Sequence, residues 1–140
     1  MRAVLYLLII SVFMGCTKDE PLNEAAILGV WNLNREVVLS PFPQGDSLQS
    51  TEVLHGLESV VYEFKGDNQL WIKRSGKPDL LMRYTCYEDL ISTDDTAIYG
   101  LGQYVDINES TYSLSYTDGK LILDAFWRNG PILYFERKPL

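Results

Sequence analysis

From Trp31 onward, apolar and polar residues alternate with a period of two. Strand side chains point to opposite faces in turn, so this period marks half-buried β-strands. Eight strands are predicted, over 31–39, 59–64, 69–74, 80–88, 97–107, 111–117, 120–127 and 132–137. Gly66-Asp67-Asn68 and Asp118-Gly119 suit hairpin turns with positive φ. Ser75-Gly76-Lys77-Pro78 and Arg128-Asn129-Gly130-Pro131 are further breakers. The helical signal is confined to 21–28 (PLNEAAIL), where Pro21 suits a first turn and Gly29 can stop the helix. Short antiparallel strands after one short helix predict an all-β barrel or sandwich.

The alternation also assigns faces. With Trp31 inward, Leu33, Arg35, Val37 and Leu39 share its side, and Asn32, Asn34, Glu36 and Val38 face out. Further inward sets are Val60/Tyr62/Phe64, Leu70/Ile72, Met82/Tyr84/Cys86, Tyr112/Leu114/Tyr116 and Leu121/Leu123/Ala125/Trp127. Gly100 and Gly102 suggest a bulge in the strand after Asp95. The connection 40–56 is long for a hairpin loop, and its apolar Phe42, Leu48, Val53 and Leu54 need a surface to lie on.

Gly29-Val30-Trp31, opening the first strand after a short helix, resembles the Gly-x-Trp start of lipocalins and lipocalin-like domains. That resemblance implies an antiparallel, up-and-down, eight-stranded calycin barrel over 29–139, closed at its base by Gly29, Trp31 and a late basic residue. Arg137 is the matching position, with Lys138 second. A guanidinium over the indole would form a cation–π contact of about 0.5–2 kcal/mol. The 40–56 segment falls where lipocalins carry a lid over the open end.

The N-terminus speaks to location. Arg2, the apolar run 3–14 and Gly15-Cys16 have the order of a signal peptide, and the run is too short to span a bilayer. Phe13-Met14-Gly15-Cys16 resembles a bacterial lipoprotein lipobox, with Phe13 and Met14 departing from the usual residues. The resemblance implies removal of 1–15, acylation (palmitate among the chains) of Cys16, and a tether and short helix over 16–28. Thr17-Lys18-Asp19-Glu20 resembles an export tag that carries lipoproteins of Gram-negative bacteria to the outer face of the cell outer membrane. The expected location is thus the outer membrane, lipid-anchored and surface-exposed, with the periplasmic face as the alternative.

Composition narrows the partners. The net charge is −7, and losing Arg2 with the signal makes the chain one unit more negative. Such a chain offers no footprint for nucleic acid and no polybasic attraction to anionic lipid. Membrane attachment would rest on the acyl chains, each buried CH₂ contributing about 0.8 kcal/mol. Cys86, in an apolar stretch, reads as an inert buried thiol.

Chemistry has little material. His55 is the single histidine, and no Gly-x-Ser-x-Gly turn exists, so no catalytic residue is assigned and the chain is read as non-enzymatic. Cys and His are too few for a metal centre, Asp94-Asp95 reads as a solvated acidic turn, and no cofactor is expected. The most suggestive residue is Arg35. An inward guanidinium needs an acid, a ligand or rim water. It could anchor an anionic head group whose body lies among Tyr62, Met82, Tyr84 and Tyr112. Otherwise it reaches the rim, or the alternation slips across a bulge. Two functions follow. One is a barrel that binds a small hydrophobic or amphipathic ligand. The other is a filled barrel that binds a protein or glycan partner through 40–56.

Overall fold

The structure, a computed structural model, describes residues 24–41, 48–92 and 99–139. Cys16 and its signal, Phe42 and Asp94-Asp95 lie outside these residues. A one-turn helix, α1 (Glu24–Ile27), precedes nine strands. These are β1 (Gly29–Pro41), β2 (Leu48–Leu54), β3 (Val60–Lys65), β4 (Gln69–Arg74), β5 (Leu80–Ser92), β6 (Tyr99–Ile107), β7 (Ser110–Thr117), β8 (Lys120–Asp124) and β9 (Ile132–Arg137). All neighbours pair antiparallel in the order β2-β1-β3-β4-β5-β6-β7-β8-β9, and β1 also pairs with β9. That pairing closes an eight-stranded, up-and-down antiparallel barrel, with β2 as an extra strand outside the circle. Closure leaves the eight barrel strands without an open sheet edge.

The turns carry the chemistry their residues predict. Asp118 and Gly119 have φ of 51° and 75°, the positive pair of a tight hairpin between β7 and β8. Asn68 (φ 59°) and Asn129 (φ 58°) also occupy the left-handed region, which Asn tolerates.

Three departures from the sequence pattern have physical causes. First, 48–54 is a strand and not loop, paired with the second half of β1 from Arg35↔Leu54 to Pro41↔Leu48. Every residue of β2 is exposed, so no buried face marks it in the sequence. Second, the stretch after Asp124 leaves the sheet and forms a 3₁₀ turn, Phe126–Arg128, started by the Asp124 carboxylate accepting from the Phe126 N–H at 2.7 Å. Trp127 is therefore exposed, not inward. Third, Gly100 and Gly102 make no bulge, because β5 and β6 hold one register from Tyr84↔Ile107 to Ser92↔Tyr99. The bulge lies in β1. There the β1–β9 register shifts between Leu33↔Phe135 and Arg35↔Tyr134, leaving Asn34 as the extra residue.

One end of the barrel is packed solid. Trp31, Phe64, Leu70, Tyr84, Leu121 and Phe135 are buried there, and each such side chain stabilises by about 1.5–3 kcal/mol. Gly29 turns the chain from α1 into β1 at φ 123°, a conformation that L side chains rarely adopt. The Trp31 indole N–H donates to the Ile27 carbonyl at 2.7 Å, tying α1 beneath the barrel. The Arg137 guanidinium stands 4.9 Å from the Trp31 ring centroid and donates to the Leu28 carbonyl at 2.7 Å. Tyr116 meets Trp31 edge-on at 5.9 Å. Gly29, Trp31 and Arg137 thus form the base together.

Candidate functional site

β1 runs from this base toward the other end, and the antiparallel order places the rest of the mouth. The strand alternation sends Tyr62 of β3, Ile72 and Arg74 of β4, Met82 of β5, Ile107 of β6, Tyr112 of β7 and Leu133 of β9 inward at that end. They surround an open cup of about 610 Å³, with Asn108, Glu109 and Ser110 of the β6–β7 turn on its rim. This lies within the size range of small-molecule sites, roughly 300–1,000 Å³. The interior is therefore filled at its base and hollow at its mouth. Tyr62, Ile72, Ile107 and Leu133 are buried and make the floor, with Phe135 packed on Tyr62 at 4.8 Å. Met82 and Tyr112 are half-buried on the wall.

The predicted ligand residues separate into two groups. Tyr62, Met82 and Tyr112 come together around the cup. Tyr84 does not. It lies at the packed end, edge-on to Phe64 at 5.1 Å, and its hydroxyl donates to the Lys65 carbonyl at 2.7 Å. Arg35 does not either. Past the Asn34 bulge the faces of β1 swap, so Arg35 points out of the barrel. Its guanidinium stacks 3.7 Å from the Tyr134 ring centroid and approaches Glu52 at 3.6 Å. The lid expectation also changes. Residues 38–41 of β1 pair only with β2, so they form a two-stranded arm beyond the rim, and no residue of 48–57 lines the cup. Cys86 is half-buried opposite Val105, as an inward position on β5 requires.

The same swap turns Glu36 inward, opposite the floor residue Leu133. Its carboxylate lies 3.4 Å from the His55 imidazole. The His55 backbone N–H donates to the Asn34 carbonyl at 2.8 Å, so the residue after β2 pins the bulge. Arg74 takes no part in the ion pairs of the described residues. Sequence reasoning missed the charged lining residues Arg74 and Glu109, and Glu36, which faces in beside the lining. Arg74 was within reach, since it shares the parity of Leu70 and Ile72. Glu36 was not, because only the bulge brings it in.

Burial pushes the Tyr62 phenol up to about 12. Tyr112 and Glu36 push it the same way, and Arg74 beside it pulls it back. Tyr112 is likewise raised, first by burial, then by Glu36, against a hydrogen bond with Ser110. One carboxylate therefore acts on both phenols. A phenol whose folded pKa exceeds the unfolded value of about 10 favours the folded state below that pH. Its contribution, about 2–3 kcal/mol, is lost as pH rises from about 10 through 12. Denaturant titrations across that window should show stability falling with pH, and Tyr62→Phe should flatten the fall. An unchanged slope in the variant would show that Tyr62 titrates normally.

Among the described residues no three His, Cys, Asp or Glu side chains gather as a metal site. No family model, curated protein or solved structure matches the chain.

Proposed function

We propose that this chain is a lipid-anchored barrel protein that takes one small amphipathic ligand into the cup, head group at Arg74 and apolar body toward Ile72, Met82 and Leu133. The observation that supports it is the 610 Å³ cup with a guanidinium at its edge that makes no ion pair among the described residues, over an apolar, aromatic floor. Lipidation at Cys16, export to the outer membrane and surface exposure belong to the same proposal and rest on the sequence. The geometry suits them. The chain joins the barrel through α1 at the packed base, so an anchor upstream would leave the cup opening away from the membrane. No step of the proposal requires catalysis or a cofactor.

Equilibrium dialysis of radiolabelled octanoate and of N-octyl-N,N-dimethylglycine tests it. The full chain would be held in lipid nanodiscs, with empty nanodiscs as the blank. Saturable uptake of at least one probe, near one molecule per chain, is expected. Uptake of neither above the blank overturns the reading.

A second reading, docking of a protein or glycan partner on the arm, draws on the exposed Leu54 and Leu57 (75% and 85% accessible) and on the uncovered edge of β2. It predicts that shortening the arm abolishes partner capture while octanoate uptake persists.

A further inference from the structure

The cup holds charges of both signs, and they have different surroundings. Arg74 lines the wall at the end of β4 and has no carboxylate partner among the described residues. Glu109 lines the cup on its rim, and Glu36, outside the lining, faces in from β1 opposite the lining residue Leu133, with one partner, His55, at 3.4 Å. Arg74 and Glu36 do not form an ion pair with each other. Tyr62 lies within electrostatic reach of both, and Tyr112 within reach of Glu36. The mouth therefore presents an anion acceptor beside one phenol ring, and a carboxylate near two.

We infer that the cup selects a zwitterionic amphiphile, whose anionic group meets Arg74 and whose ammonium meets Glu36 and the faces of Tyr62 and Tyr112. This rests on the reading of the cup as a ligand site and adds the class of head group. A carboxylate ligand alone would satisfy Arg74 but would bring a second negative charge toward Glu36. A simple ammonium would satisfy Glu36 and the ring faces, which attract cations, but would leave Arg74 unpaired and repelled. Only a head group with both charges complements both Arg74 and the inward-facing Glu36, and like-charge contact penalises the alternatives. His55 holds the Glu36 carboxylate at 3.4 Å, and neither residue is part of the cup's lining.

The test compares three octyl probes by dialysis against the full chain in nanodiscs. They are octanoate, octyltrimethylammonium and N-octyl-N,N-dimethylglycine, which share a tail and differ in head charge. The zwitterion is expected to bind at least tenfold tighter than either singly charged probe. Glu36→Gln, a near-isosteric change, should reduce that preference over octanoate to within about threefold, with circular dichroism unchanged. Equal binding of octanoate and the zwitterion to the unaltered chain overturns the inference and leaves the cup as a ligand site. A preference that survives Glu36→Gln also overturns it. Uptake of none of the three overturns the inference and the ligand reading together.

Discussion

Trp31→Ala is expected to lose about 3–5 kcal/mol of folding stability, a large part of what a domain of this size possesses. The indole is fully buried and fills the barrel base. Truncation removes its packing and leaves a cavity that neighbouring strands, held in register on both sides, cannot collapse into. It also removes the hydrogen bond to Ile27, the ring beneath Arg137 and the edge contact with Tyr116. The Ile27 carbonyl and the Arg137 guanidinium would each lose a partner. Trp127→Ala is the matched control. That indole is 54% exposed and is stacked on by Arg128 at 4.3 Å, so its loss should shift stability by about 0.5 kcal/mol or less. Urea denaturation followed by circular dichroism checks both. A Trp31→Ala loss below about 1 kcal/mol would mean that the base does not close the barrel.

Arg74→Gln should weaken uptake of an anionic or zwitterionic octyl probe by about 30-fold, near 2 kcal/mol. Gln keeps most of the length and hydrogen-bonding capacity but removes the charge. Arg35→Gln should leave uptake within twofold, because its guanidinium lies outside the barrel against Tyr134 and Glu52. The contrast separates two arginines that a strict alternation would have turned inward alike. Arg74 is also more informative than the phenols, since Tyr62 belongs to the floor and its loss would disturb packing as well as binding. Equal losses from both arginine variants would indicate general electrostatic attraction and not a site.

The barrel, its direction and its base were legible because each rests on redundant signals. Trp31 shares its parity with Leu33 ahead of the bulge, Arg137 shares its parity with Leu133 and Phe135, and the turns at 66–68 and 118–119 set which ends meet. Half the cup was legible for the same reason, as Tyr62, Met82 and Tyr112 follow buried neighbours in parity. The rest was hidden where the pattern carries no contrast. Asn34, Arg35 and Glu36 are all polar, so either register of this stretch is equally plausible from the sequence. β2 is uncovered on both faces, so burial selects no period there. Tyr84 was assigned the right face but the wrong height. It sits past the end of β4, where its backbone N–H donates to the Asn68 carbonyl at 3.1 Å.

The bulge at Asn34 makes the mouth's polarity a matter of strand register more than of residue identity. Straightening the bulge at constant length, so that Asn34 pairs with Tyr134, would put Arg35 opposite Leu133 in the cup and Glu36 outside it, whereas deleting Asn34 would leave both where they are. The bulge thus absorbs one extra residue without disturbing the mouth, so loss of that residue would be silent there, while a register shift at fixed sequence would invert the mouth's charge.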